Sequence, residues 1–280
     1  MSRALSSLRA RVERLGFRTL YRLADLTYAL GVATPKRTVA GTYWSHEPTN
    51  PHGDDAGLAA LDRLPTDAVV LDVGAHVGEH AIPLALGTDR RVVAFEPNGE
   101  SADRLARNAD RNGLGGRDGA GIDLRRAGLG DANATLTFYR STFSKCSAFD
   151  RESATRWGAS VAGTESVPVR RLDDLVEGVG DEGEDGVGAV PPPDAIKVDV
   201  EGHEAAVLRG ATATLATHGP LLVVEVHEAA EAAAEDAKGG AEETTSELGS
   251  GSAALREWLA ARDYAVEEAE DVWICRPEEA

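Results

Sequence analysis

The chain has 280 residues, 42% of them hydrophobic, enough for one sizeable domain with attachments or two small ones. Its 47 acidic residues outnumber 29 basic ones, for a formal net charge of -18, and a surface of that sign repels polyphosphate and argues against nucleic acid as a partner. No apolar run reaches the ~18 to 20 residues of a membrane-crossing helix, and the N-terminal stretch, broken by Arg18, Arg22 and Asp25, lacks the uncharged core and cleavage site of a signal peptide, so a cytoplasmic location is expected.

The first 37 residues are a basic zone, in which Arg3, Arg9, Arg11, Arg14, Arg18, Arg22, Lys36 and Arg37 face only Glu13 and Asp25. Leu5, Leu8, Val12 and Leu15 recur at helical spacing, and Leu23, Leu26 and Leu30 continue it. The pattern predicts one or two amphipathic helices packed on the main domain or on a second subunit of a homodimer. A weak peripheral contact with an anionic membrane stays open as the alternative. Residues 38–67, rich in Pro, Gly, Asn and Asp and holding Tyr43, Trp44, His46 and His52, read as a loop approaching the core. Residues 1–60 are thus expected to form a helical extension and residues 61–280 the main domain.

From residue 68 the pattern changes. Residues 68–73 read as an apolar strand, 77–86 as a helix, 91–95 as a strand, 100–112 as a helix and 122–126 as a third strand. Residues 134–139 and 166–172 read as further strands that alternate more weakly. Residues 195–200 and 221–226 are further core strands, and a helix at 255–261 precedes a closing antiparallel pair at 264–266 and 272–275. Strand and helix alternating at this spacing predict an α/β fold with a mostly parallel sheet covered on both faces. Two low-complexity stretches, 178–193 and 228–252, lack the apolar periodicity of a packed element and read as acidic surface inserts. Lysine is scarce, with only Lys36, Lys145, Lys197 and Lys238. This acid-rich, lysine-poor composition resembles that of halophilic proteins, in which a screening length of ~3 Å at 1 M salt removes most self-repulsion; an acidic protein from a high-GC genome is the plainer alternative. Cys146 and Cys275 are too few for a disulfide framework or a Cys-rich zinc site and read as free thiols.

The segment Asp72-Val73-Gly74-Ala75-His76-Val77-Gly78 follows a strand and opens a helix. Glycine there allows a tight turn and close approach of a ligand, and the helix start offers free N–H groups. Glu96 ends the second strand, with Pro97 stopping the ladder. A carboxylate at that tip is placed to accept two hydrogen bonds from a ribose. NAD enzymes and S-adenosylmethionine enzymes share this device, but dinucleotide binders use G-x-G-x-x-G. Here the middle glycine is absent, and Asp72 puts a negative charge where a pyrophosphate would be repelled and a sulfonium amino acid tolerated.

These stretches resemble the FkbM family of methyltransferases. The resemblance covers roughly residues 66–228. It runs through Leu-Asp-Val-Gly-Ala-His-Val-Gly at 71–78, Val-Ala-Phe-Glu-Pro-Asn at 93–98 and Ala-Arg-Asn-Ala-Asp-Arg-Asn at 106–112. It continues with Arg-Arg-Leu-Asp-Asp-Leu at 170–175, Ile-Lys-Val-Asp-Val-Glu-Gly-His-Glu at 196–204, Val-Leu-Arg-Gly-Ala at 207–211 and Val-Val-Glu-Val-His at 223–227. The family more often has Asn where this chain has His76. The resemblance implies a Rossmann-like class I methyltransferase fold with a seven-stranded sheet, S-adenosyl-L-methionine as cofactor, and O-methylation, often of sugars or glycosylated products. It implies a cofactor set of Asp72, Gly74, Ala75, His76, Gly78, Glu96, Pro97, Gly128 and Asp199. Asp72, Gly74 and Gly78 would line the methionine end and Glu96 the ribose, with the adenine near residues 126–129.

Methyl transfer to an alcohol needs an aligned oxygen and a group that removes its proton. Lys197, Asp199, Glu201, His203 and Glu204 form the densest polar cluster after a core strand, and alternation puts Lys197, Asp199 and Glu201 on one side. Lys197 reads as a structural ion-pair partner of Asp199 or Glu225. Asp199, Glu201, His203 and His227 are the catalytic candidates, with Glu225 and His227 on the next strand able to meet Asp199 and Glu201. Two carboxylates and a histidine also suit a metal, but carboxylates accepting hydrogen bonds from substrate hydroxyls are the simpler account, and no metal is expected. Asp173 and Asp174 read as caps of a short helix. Tyr43, Trp44, Phe143 and Trp157 are candidates for stacking on a sugar, although Trp157 reads equally as core filling. The leading reading is a methyltransferase acting on a glycan or other small hydroxylated molecule. An NAD-linked oxidoreductase and a non-catalytic cofactor-binding protein are the alternatives.

Overall fold

The computed structural model describes residues 2–115, 121–178, 187–227 and 251–278, with side chains from residue 15 onward. One helix, α1 (Ser2–Leu30), fills the basic zone and ends at Gly31, whose φ of +66° turns the chain. The leucine stripe does not face the body: Leu15, Leu23, Leu26 and Leu30 are exposed. A neighbouring stripe, Tyr21, Ala24 and Tyr28, packs instead, because Tyr21 stacks on Phe143, Tyr28 meets the His46 ring and the Tyr28 hydroxyl accepts a hydrogen bond from Asn108 at 2.8 Å. Among the described residues, no helix is long and apolar enough to cross a membrane.

The expected loop at 38–67 is partly ordered structure. Strands β1 (Thr34–Thr38) and β2 (Gly41–Ser45) form an antiparallel hairpin, and α2 (Ala56–Asp62) follows, its first turn capped by Asp55, which accepts the Leu58 N–H at 2.6 Å. Polar composition hid both elements. The hairpin is held by side chains distant in sequence: Asn112 accepts the Trp44 N–H and donates to the Trp44 carbonyl, at 2.8 and 2.7 Å. Leu58 and Leu61 of α2 are fully buried in the main core.

The remaining elements are β3 (Val69–Val73), α3 (Ala81–Ala85), β4 (Arg91–Phe95), α4 (Gly99–Arg111), β5 (Gly121–Arg125), β6 (Gly128–Leu129), β7 (Ala134–Ser141) and β8 (Val161–Arg170). They continue with α5 (Leu172–Val176), β9 (Ala195–Val198), α6 (Glu204–Arg209), α7 (Thr212–His218), β10 (Leu221–Glu225), α8 (Ser252–Ala260), β11 (Tyr264–Ala269) and β12 (Val272–Pro277). The main sheet has seven strands in the order β11-β12-β10-β9-β3-β4-β5, and β12 runs against its neighbours β10 and β11. This is the expected mostly parallel Rossmann-like sheet with its closing antiparallel pair. Alternate residues feed two cores: Leu71, Phe95 and Ile196 pack towards α6, α7 and α8, while Val70, Val92 and Val223 pack towards α2, α3 and α4.

The weakly alternating stretches at 134–139 and 166–172 do fall on strands, β7 and β8. They lie outside the main sheet: β8 pairs with both β6 and β7 in a separate three-stranded sheet. The acidic stretch 178–193 is not wholly a surface excursion, because Val187 and Val190 are buried and the Val190 N–H bonds the Leu175 carbonyl at 3.0 Å, which seats the end of the stretch on α5. Residues 179–186, half of the first expected insert, and 228–250, nearly all of the second, lie outside the described residues. Asp173 caps a helix other than its own: it accepts the Thr214 N–H at 2.8 Å at the start of α7.

Candidate active site

The C-terminal ends of β3, β4, β9 and β10 surround a cavity of about 250 Å³. In the loop after β3, Gly74 has φ +82°, and a Cβ there would lie 1.8 Å from the Asp199 carbonyl, so only glycine lets this loop pass β9. Gly78 has φ +90°, and a Cβ there would lie 2.8 Å from Ile82, so its role is to let the loop pack on α3. Gly74, Ala75, His76, Glu96, Pro97 and Gly128 border the cavity. Asp72 and Gly78 do not.

Glu96 is 6% exposed. One of its oxygens accepts the Asn98 N–H and the other the His76 N–H, both at 2.7 Å. Burial pushes its carboxyl upwards, and it has no ion-pair partner among the described residues. Each oxygen keeps a lone pair for a further donor, which fits a ligand that brings two hydroxyls. The His76 imidazole reaches the Ser144 hydroxyl at 2.9 Å and so ties the glycine loop to the 144–147 segment.

Lys197 does not chiefly serve Asp199 or Glu225. It stands opposite Asp72 in the β3–β9 register, and its ammonium lies 3.1 Å from Asp72, 3.4 Å from Asp199 and 3.3 Å from the Gly74 carbonyl. Burial alone would lower its pKa, but Asp72 and Asp199 raise it well above the usual lysine value. Burial would likewise raise Asp199, yet Lys197, His227 and Lys145 hold it below the usual carboxylate range.

The four catalytic candidates, Asp199, Glu201, His203 and His227, all border the cavity, and the structure sorts them. His227 Nδ1 lies 2.8 Å from Glu204, and its Nε2 lies 3.5 Å from Glu225 and 3.7 Å from Glu201. Burial would push this imidazole down, but hydrogen bonds to Glu204 and Glu225, with Glu201 and Asp199 nearby, lift it to about 10. Burial lifts Glu201 to about 7, with Asp199 and Glu225 adding to the rise and His227 and Arg156 opposing it. Arg156 donates to the Glu201 carboxylate at 3.2 Å and to its carbonyl at 3.3 Å. His203 stands apart from this network: its ring packs on Phe149, with centroids 5.2 Å apart, and burial lowers its pKa.

A facing wall went unforeseen. Lys145 lies 2.8 Å from Glu79 and 3.2 Å from His52, while His52 and His80 converge on Asp55 at 3.2 and 3.5 Å. These residues come from three stretches of sequence, 52–55, 79–80 and 145, so no sequence spacing announced them together; only the scarcity of lysine marked Lys145. Donor atoms of Asp199, Glu201 and His227, and of His52, Asp55 and His80, fall within 4.8 Å of one another in each set. In the first set the charged imidazole of His227 already faces carboxylates through both nitrogens and would have to lose a proton to bind a cation. Backbone strain gathers here too. Of five non-glycine residues with left-handed φ among those described, His76, Trp157 and Glu201 border the cavity, each at a cost of about 1–2 kcal/mol.

The profile of the Methyltransferase FkbM domain matches residues 72–266. Hexuronic acid methyltransferase AglP of Haloferax volcanii is 34% identical over 60% of this chain and 59% of its own length. AMB antimetabolite synthetase AmbE of Pseudomonas aeruginosa is 32% identical over 59% of this chain and 9% of its own. The chain therefore spans less than two thirds of these curated relatives. The crystal structure of Methyltransferase FkbM from Methylobacillus flagellatus superposes with a TM-score of 0.48 at 18% identity, covering 76% of this chain and 44% of that one. With 195 of the 280 residues inside the matched domain, the chain belongs to the FkbM methyltransferase family.

Proposed function

We propose that this protein transfers a methyl group from S-adenosylmethionine to a sugar hydroxyl. When bound, S-adenosylmethionine supplies a methyl group on a positively charged sulfur, ready for in-line displacement. Glu96, with unused acceptor capacity in a buried setting, would hold the ribose, and the backbone of Gly74, Ala75 and His76 the methionine end. Gly128 and Leu129, with Phe149 and His203, offer an enclosed slot for the adenine. Asp199 and Glu225 on the cavity wall suit a cationic ligand better than a pyrophosphate.

The observation that carries the reading is Glu201. It borders the cavity at the end of β9, and its carboxyl, lifted to about 7, is matched to accepting a proton near neutral pH. His227 beside it holds a positive charge that steadies the ionised form, and Arg156 fixes its orientation. Glu201 would thus take the proton of the acceptor hydroxyl, while the bound cofactor would supply the methyl group by breaking its sulfur–methyl bond and leaving as the neutral thioether S-adenosylhomocysteine. Asp199, kept ionised by Lys197, orients the acceptor by accepting a hydrogen bond. The relative named as a hexuronic acid methyltransferase supports an acidic sugar as the acceptor class. The test is methyl transfer from labelled S-adenosylmethionine to uronic-acid-containing oligosaccharides. Label appearing on the glycan supports the reading, and failure across a panel of acidic and neutral glycans, with cofactor binding intact, would reject the sugar acceptor.

A further inference from the structure

Aromatic residues make up only 5% of this chain, yet four of them stand in series, running inward from Trp157 at the edge of the cavity. Trp157 stacks on Phe17 with centroids 6.2 Å apart and planes at 13°. Phe17 meets Phe143 at 5.5 Å, and Phe143 stacks on Tyr21 at 5.2 Å and 7°. The series joins α1 to the segment between β7 and β8. Trp157 is not core filling, since it is 59% exposed while bordering the cavity that holds Glu201. Its backbone sits at φ +54° with Gly158 at +77°, and Arg156 before it is anchored on Glu201. A large ring kept in a costly backbone conformation, backed by one aromatic and otherwise in water, is placed to receive a ligand.

The same turn opens into a second cleft, of about 320 Å³, between α1 and the 142–160 segment. Arg18 and Arg22 line it opposite Thr142 and Ser160, whose backbones are bonded to each other at 2.8 Å. In a chain of net charge -18 these two arginines have no ion-pair partner among the described residues, whereas Arg90, Arg104, Arg140, Arg156 and Arg209 all do. Asp25, which also lines the cleft, is engaged by Arg104 at 2.6 Å.

We infer that Trp157 and this cleft form a docking platform for an acidic sugar of the methyl acceptor. The C–H face of a pyranose lies on the indole, whose ring face is electron-rich, and the sugar's anionic group points to Arg18 and Arg22. The inference rests on the sugar reading above and gives α1 a part in binding the acceptor. A carboxylate and a phosphate share the required chemistry.

The full chain labelled with 5-fluorotryptophan provides the test, at low ionic strength, because salt screens exposed arginines. The Trp157 resonance is identified by its loss in Trp157→Phe. A methyl glucuronoside, a glucose phosphate and a neutral methyl glucoside are titrated, each with and without S-adenosylhomocysteine. The account expects a saturable shift of the Trp157 resonance with the anionic sugars, and the tighter of the two names the acid. Trp157→Ala weakens their binding, read by calorimetry, about ten-fold or more. Trp157→Phe keeps most of it, which separates stacking from misfolding. The Arg18→Gln/Arg22→Gln pair brings the anionic sugars down to the affinity of the neutral one. A Trp157 resonance unmoved by all three sugars overturns the inference, as do affinities unchanged in Trp157→Ala or in the arginine pair. Failure to bind S-adenosylhomocysteine sinks the methyltransferase reading instead, while the sugar titration still decides the platform.

Discussion

The assignment of Glu201 as proton acceptor is open to a test in which the shape of a pH profile matters more than its height. With a carboxyl at about 7, Glu201 is about one-tenth ionised at pH 6 and about nine-tenths ionised at pH 8. A protonated carboxyl cannot accept the hydroxyl proton, so kcat should rise with pH, reach half its plateau near 7 and stay flat above 8. Burial lifts that midpoint, and the His227 cation, 3.7 Å away, keeps it from rising further. Opposite charges about 4 Å apart at an effective dielectric of 20 interact by about 4 kcal/mol, an upper bound for a site that water reaches. Removing the cation in His227→Asn should therefore move the acid limb up by about one to three pH units. Glu201→Gln should lower kcat by about a hundred- to ten-thousand-fold and abolish the limb. The assay is methyl transfer to a glycan acceptor between pH 5 and 9, with cofactor affinity measured in parallel. A Glu201→Gln enzyme that keeps a limb near 7, or loses less than ten-fold in rate, would refute the assignment. A wild-type profile flat throughout would do so too, and would indicate a nucleophile that needs no base, such as an acceptor carboxylate.

Three further outcomes follow from the same geometry. Lys197→Met leaves the Asp72 carboxylate, 1% exposed, without its cation, and should cost about 3–5 kcal/mol in denaturant unfolding; the double variant with Asp72→Leu should recover much of that loss, and a fully additive pair would contradict the ion-pair account. Chelation should leave methyl transfer unchanged, since the His227 imidazole is committed to its carboxylate partners; activity lost to a chelator and restored by magnesium or manganese would reassign Asp199, Glu201 and His227 as metal ligands. Raising KCl from dilute buffer towards 1 M should raise the melting temperature, because a net charge of -18 repels itself until screened; greatest stability in dilute buffer would contradict that.

What the sequence disclosed and what it hid follow from the range of the forces involved. Strands β3, β4, β9 and β10 were legible because burial on both faces writes a continuous apolar run into the local sequence. The glycine loop and Glu96 were legible because turn chemistry is local. The hairpin at residues 34–45 and α2 were not: their order comes from Asn108 on α4 and Asn112 just after it, and from burial of two leucines, neither of which marks its own segment. The leucines of α1 misled, because periodicity finds a stripe without saying which stripe meets a partner. In the site, the candidates on β9 and β10 share one local pattern, whereas His52, Glu79, His80 and Lys145 are joined only by tertiary contacts. The pairing of Lys197 with Asp72 was missed for a simpler reason: the register that sets them side by side links strands more than a hundred residues apart in sequence.

The central claim is that the cavity beside Gly74 and Glu96 binds S-adenosylmethionine. Calorimetric titration of the full chain with S-adenosylhomocysteine, repeated with NAD and with Glu96→Ala, tests it most directly. The account predicts one saturable site for S-adenosylhomocysteine, no binding of NAD, and a loss of about 2–4 kcal/mol in Glu96→Ala, the worth of one or two hydrogen bonds to a charged group. Binding of NAD in place of S-adenosylhomocysteine, or an affinity for S-adenosylhomocysteine untouched by Glu96→Ala, would contradict it.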